Sequence, residues 1–472
     1  MNLLFGSYYL FILTLLVIVS FIILRRWRNG IYFIFICLYI EDIIRRLIPG
    51  QPPQVMLIKD VLLLLTYFAF FITLVIINNK KPFALWKPPF FTGFLLFGGW
   101  CLVGSFNPNI PSPLFSIIGL RSYLWYAPLF FLGYYMFNSE EKLLRFCRIL
   151  VYTAVPLFIF AIYQYIFFDK ANVLIRPFER AHQIHSFSWA ETEAVMKISS
   201  FFGIGQRYAM FSMFLFFLGM AIYLTSKKNK LLLISTISAF LGVVISGSRA
   251  IFVLSVVGFI LFFMLITPMG KQQKKSVYLY LWKSNHIIRF GLLLFVVLIG
   301  ILFIYIIGGD IGLFQISAFY FAIVERIPWF IRHISGVLLS GLTWLGYGTG
   351  TMSQGLQYIP VGVDWNYIMP GGSFLESGIS KIIFELGIFG FIFFYFFWGH
   401  LFFRIKKELK IINHTNLKNI GVSIFIFLIC TLIRFSFIHH QVLGDATVLV
   451  ILWFFIGIIF KLKNLKCNIS EE

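Results

Sequence analysis

An all-α polytopic membrane protein with about 13 (12–14) transmembrane helices is the fold class this sequence predicts, on three observations. Of 472 residues 60% are hydrophobic and 12% charged, with mean hydropathy +0.90, whereas soluble domains are about 45–50% apolar and about 25% charged. Apolar stretches recur at the roughly 20-residue length that a bilayer-crossing helix needs. Runs such as 290–307 are apolar on every side, which excludes a closed β-barrel, where apolar and polar residues alternate.

The first stretch, 8–24, is followed rather than preceded by its charges, Arg25, Arg26 and Arg28. It also lacks a small-residue cleavage site, so it reads as a span with an extracytoplasmic amino end rather than a signal peptide. The second, 29–46, carries Glu41, Asp42, Arg45 and Arg46, whose i,i+4 spacing predicts the local ion pairs Glu41–Arg45 and Asp42–Arg46. Further spans are expected at 56–77, 89–105, 117–137, 148–168, 207–225, 230–246, 249–268, 288–307, 378–399, 419–437 and 444–461. Alternate connections hold 25 of the 39 Lys and Arg residues. The positive-inside rule makes those connections cytoplasmic and places the C-terminus there. The +21 net charge is therefore a topology signal, and no nucleic-acid partner is expected.

Two connections on the other side are long, 169–206 and 308–375, and long loops in compact folds tend to carry function. The second is itself apolar and aromatic, which suits helices lying along the membrane interface. No internal repeat or linker divides the chain, so 1–472 reads as one integral domain. The five cysteines form no CxxC pair, and free thiols are expected.

Spans beginning at Arg207, Arg249 and Phe374 run in the same direction, each preceded by small or turn-forming residues: GIGQ, SGS and PGGS. Helix amino termini attract anions, and a guanidinium adds two parallel donors suited to phosphate. Arg207 and Arg249 are thus candidates for holding a phosphate or diphosphate; the alternative is that each anchors its helix by snorkelling. Glu376 reads either as a general base at the mouth of an apolar helix or as the far end of a capping box with Ser373. Lys381 and Glu385, four residues apart, read as a structural pair. His439 and His440 are candidate acid, base or relay residues, or only a polar edge. Gly346-Tyr-Gly348-Thr-Gly350 lacks the strand before it and the Lys-Ser/Thr of a phosphate loop, and is expected to be a flexible turn.

In order, ISGSRAIFVLSVVGFILFF (245–263), WLGYGTGTMSQ (344–354) and SFLESGISKIIFELGIFGFIFF (373–394) resemble the O-antigen ligase and Wzy-type polysaccharide polymerase superfamily over roughly 115–400. The resemblance rests on an SGSR helix start, a G-x-G-x-G turn and an E-x-G-x-x-G helix. It implies a glycosyltransferase of GT-C-type architecture in the bacterial cytoplasmic membrane, acting at the outer leaflet on a polyprenyl-diphosphate-linked oligosaccharide. It also implies diphosphate binding at Arg207 and Arg249. Ligases of the family carry a His nine residues before the Glu of the E-x-G helix, where this chain has Glu376 before Glu385, which favours the polymerase branch. On this reading Glu376, or else His439 or His440, takes the acceptor proton, and Arg121, Arg326, Arg332 and His333 contact glycan or phosphate. No metal or other cofactor is expected, and the partners are the lipid-linked substrate, membrane lipid, a flippase and a chain-length regulator. The alternatives left open are a ligase, a flippase or other transporter, and a scaffold for a polysaccharide assembly complex.

Overall fold

The computed structural model describes residues 14, 16–48, 53–74, 88–167, 198–225, 229–266, 331, 334–335, 344–353, 377–412 and 414–465. Among these every regular element is helical. In chain order they are α1 (Leu16–Arg25), α2 (Trp27–Leu47), α3 (Ile58–Ile72), α4 (Phe91–Gly104), α5 (Pro113–Leu120), α6 (Leu129–Met136) and α7 (Glu140–Tyr152). There follow α8 (Ala154–Ile166), α9 (Gly205–Tyr223), α10 (Lys230–Ile245), α11 (Arg249–Ile266), α12 (Gly378–Ile411), α13 (Thr415–Phe437) and α14 (Ala446–Lys461). A π turn over Arg121–Trp125 joins α5 to α6, just before Pro128, which has no N–H to continue the ladder.

Among the described residues eight helices are long and apolar enough to cross a membrane. The chain is therefore a polytopic membrane protein at that coarser level. α1, α4 and α10 are shorter apolar helices, and the span expected at 288–307 lies outside the described residues. Some boundaries follow local chemistry. The Asn229 side chain accepts from Leu232 N at 3.1 Å, Ser377 from Ser380 N at 3.1 Å, and Asp445 from Thr447 N at 2.8 Å, each capping the helix after it. α12 is thus capped by Ser377, while Ser373 and Glu376, the capping box expected from the sequence, lie outside the described residues.

The interior is set by which helices are apolar on all faces. The membrane-crossing window of α9 is 94% buried and that of α11 only 33%, so α9, with α13 and α14, forms the centre while α11 presents a side to lipid. α6 and α14 approach most closely where Gly133 meets Gly457. A Cβ on Gly133 would lie 2.0 Å from Phe454 O, and one on Gly457 would lie 2.0 Å from Phe130 O. Small residues at such a crossing let two backbones touch in lipid, where no hydrophobic effect pulls helices together. Phe35, Phe146, Phe454 and Phe455 fill the space around that crossing edge to face, the arrangement aromatic quadrupoles favour.

Cross-helix contacts fix the two ends of the bundle. At one end Lys463 meets Glu408 at 2.8 Å, His414 lies 3.8 Å from Glu140, and Arg28 donates to Tyr135 O at 3.5 Å. This is the end where the basic residues of the alternate connections gather, and it is called the basic end. The buried charges gather at the opposite end.

Candidate functional site

Two polar assemblies occupy the end opposite the basic one. The larger is a charge network drawn from the close of α2, the start of α3, the π turn, the start of α9, the close of α13 and the cap of α14. Glu41 accepts Lys59 Nζ on both oxygens, at 2.7 and 2.8 Å. Asp42 Oδ2 receives Arg207 Nη1 at 2.6 Å and the amide of Gly203 at 2.6 Å. Arg207 Nε reaches Asp445 Oδ2 at 2.7 Å. Arg121 and Tyr126 both bind Asp60, at 2.7 and 2.6 Å. Arg46 holds the 199–202 segment through Ser199 Oγ at 2.9 Å and the carbonyl of Phe202. Gln164 supports the same segment, its Oε1 accepting from Ser200 N at 2.7 Å, where Ser200 stands at φ 52°.

The i,i+4 expectation for Glu41 and Asp42 is incomplete: the charge of Asp42 does act on Arg46, but each carboxylate also has a close partner from another helix. Glu41 pairs with Lys59 of α3 and Asp42 with Arg207 of α9, because a cation from a neighbouring helix can reach a carboxylate end-on inside the bundle. Arg207 lies between Asp42 and Asp445. Its side chain is 7% exposed and is held by both carboxylates, so it is buried in the bundle and does not snorkel to the interface. Charges taken out of water need partners this close to offset desolvation. Asp445 lies just before α14: burial alone raises its carboxyl, but the Arg207 guanidinium and the Val448 amide hold it below the usual carboxylate range. Arg121 is tied to Asp60 but remains partly exposed.

Arg434 is the residue whose role the sequence left unassigned. It is 3% exposed, donates to Gln206 Oε1 at 2.8 Å, and its Nε has no hydrogen-bond partner among the described residues. Asp42 Oδ1 is likewise without one. His439 caps the short helix His440–Gly444 by accepting from Gln441 N at 3.3 Å. His440 is buried and stacks on it with ring centroids 5.9 Å apart. This short helix packs against the π turn that carries Arg121, so the histidines border the network. Arg249 begins α11 after a turn in which Gly247 takes φ 69° and Ser246 Oγ accepts from Ser248 N. It is partly exposed at the same end of the bundle.

The second assembly is built on a break in α12. Gly387, at φ 68° and ψ −172°, interrupts the helix, which frees the preceding carbonyls for partners outside it. Tyr347 N donates to Phe384 O at 2.8 Å, Gly348 N to Glu385 O at 2.9 Å, and Trp100 Nε1 to Leu386 O at 2.8 Å. Glu385 itself, fully buried, accepts from Met352 N at 2.7 Å and from the Tyr123 hydroxyl. Lys381 lies 3.9 Å away, so the expected Lys381–Glu385 pair is present but is the longest of these contacts. The Gly346–Gly350 segment is thus a packed turn, not the flexible one expected. Its glycines hold φ of 74°, 114° and 92°, and a Cβ on Gly350 would lie 2.0 Å from Phe115 O. Glu376, Arg326, Arg332 and His333 lie outside the described residues.

Chemically, among the described residues the network holds five cations, Arg46, Lys59, Arg121, Arg207 and Arg434, beside four carboxylates, Glu41, Asp42, Asp60 and Asp445. Partly exposed Arg121 and Arg249 stand at its margin. This favours an anion over a cation or a neutral ligand. No family model, curated protein or solved structure matches the chain.

Proposed function

We propose that the protein is a polysaccharide polymerase, joining polyprenyl-diphosphate-linked oligosaccharide repeat units at the outer leaflet of the bacterial cytoplasmic membrane. The observation that carries this reading is the cation-rich network at the end opposite the basic one. By the positive-inside rule that end is extracytoplasmic, where a flipped lipid-linked glycan presents its diphosphate. The resemblance to the Wzy-type polymerases supports the same reading through the Arg249 helix start, the Gly346–Gly350 turn and the Glu385 helix, the last two of which hydrogen-bond to each other.

In the reaction a hydroxyl of one lipid-linked unit attacks the anomeric carbon of the growing chain on another. The bond from that carbon to the diphosphate oxygen breaks, and polyprenyl diphosphate departs with the electron pair. Arg249 and the spare donor of Arg434 contact the diphosphate as its charge grows, the kind of preorganised donor that lowers such a barrier most. Arg207 positions that donor set from within, and contacts the diphosphate itself only by exchanging Asp42 or Asp445. Glu376, or else His439 or His440, takes the proton of the attacking hydroxyl, while Arg121, Arg326, Arg332 and His333 meet the glycan.

Arg249→Ala is expected to shorten the polymer toward single repeats while leaving membrane levels unchanged, read from glycan size profiles beside an immunoblot. Loss of one charged donor in such a site costs about 10²–10³ in rate, so unchanged chain length at equal protein level rejects the assignment.

A transporter is the second reading, favoured by the α12 break at Gly387 and by more buried charge than the sequence suggested, both features of transport folds. The polymerase reading has the stronger support because the charges gather at one end instead of lining a path midway along the helices.

A further inference from the structure

A cavity of about 590 Å³ opens at the basic end, between the close of α1, the start of α2, the close of α6 and the start of α7. Arg25, Arg26, Arg28, Lys142 and Arg145 line it, and all five are exposed. Among the described residues no carboxylate lines it. The nearest counter-charge is the Glu141–Arg145 pair at 2.8 Å, whose side chains are 67% and 71% exposed, a pair worth little in water. Basic residues at helix ends are ordinary topology signals, but here two chain stretches, 25–28 and 142–145, bring theirs to one concavity. One wall is apolar and lipid-facing: Tyr32 and Ile149 line the cavity while being 46% and 59% exposed. Asn29 and Asn138 add neutral hydrogen-bonding groups.

We propose that this cavity binds the phosphate headgroup of an anionic phospholipid in the cytoplasmic leaflet, with the cations on the phosphate and an acyl chain along Tyr32 and Ile149. A basic recess between transmembrane helices next to an apolar, lipid-exposed wall suits that chemistry and no neutral headgroup. The site is independent of the charge network, which lies at the other end of the bundle.

The test uses the full-length protein in phosphatidylcholine nanodiscs with phosphatidylglycerol titrated in, and native mass spectrometry to count retained lipid. Wild type is expected to retain phosphatidylglycerol in preference to phosphatidylcholine. Arg25→Gln with Lys142→Gln is expected to weaken that retention roughly 20- to 30-fold, and Lys142→Gln alone about fivefold, at the usual strength of near-surface cations. Lys407→Gln with Lys410→Gln, basic-end residues outside the cavity, is the control and should change nothing. Equal retention by the double variant and wild type, or an equal loss in the control, overturns the proposal. Displacement of phosphatidylglycerol by inorganic phosphate at millimolar concentration would overturn the lipid assignment in favour of a soluble phosphate.

Discussion

Arg207→Ala is expected to destabilise the protein by about 3–5 kcal/mol, because it leaves charges buried without a partner. Asp42 and Asp445 lie 2.6 and 2.7 Å from the guanidinium, on α2 and at the cap of α14, so one substitution loosens three helices from each other. Arg207→Lys should recover only part of the loss, since an ammonium on a flexible stem cannot bridge two carboxylates as a rigid fork does. Arg207→Leu combined with Asp42→Asn should be less destabilised than the sum of the two single variants, with a coupling of about 0.5–3 kcal/mol for residues in one network. Thermal unfolding of the purified protein in detergent, followed by its tryptophan fluorescence, measures all five variants. A wild-type melting temperature for Arg207→Ala would show that the network does not hold the helices.

Gly350→Ala is expected to prevent correct assembly of the end opposite the basic one. The new Cβ would stand 2.0 Å from Phe115 O, with Gly119 N only 2.8 Å away. Backbone atoms have no rotamer that could make room, so α5 or the turn must move. The φ of 92° adds the penalty any L side chain meets on that side of the map, about 1–2 kcal/mol. Gly387→Ala should behave alike, since its Cβ would lie 2.1 Å from Trp344 O at φ 68°. Gly99→Ala is the control: nothing lies within 4 Å of its added Cβ, and a helical Gly→Ala change there should be neutral or stabilising by up to about 1 kcal/mol. Size-exclusion profiles of the three variants after detergent extraction decide it. A monodisperse Gly350→Ala peak at wild-type yield would mean that the turn is looser than its contacts indicate.

The helices were legible in the sequence because what makes them is local. An apolar run of sufficient length locates α9, α10, α11 and α14 to within a few residues, helped by a Ser, Asn or Asp before α10, α11 and α14 and by a cluster of Lys or Arg after α9, α11 and α14. The ion pairing between helices was not legible. The spacing of Glu41 and Arg45 is consistent with a local pair, but Lys59, next to Asp60 in what reads as the edge of the following span, reaches Glu41 from α3. Which helix neighbours which is a tertiary fact that helical periodicity does not encode. The same limit hid Arg434 and Asp445, one at the close of a span and one at the start of the next, whose meeting with α9 needs the bundle assembled. The glycine turn shows a different limit. Glycines at alternate positions permit a left-handed backbone, but the pattern is the same whether the turn is free or packed. The carbonyls freed by the break at Gly387, with Asn107 and the close of α4 on the other side, explain why this one is docked.

The most direct test is the size profile of surface polysaccharide from cells lacking the protein, with and without complementation by wild type. A polymerase predicts single-repeat product in its absence, lengthening to polymer when wild type is restored. Full-length chains left unattached would contradict this and indicate a ligase, and the absence of any translocated glycan would contradict it in favour of a transporter.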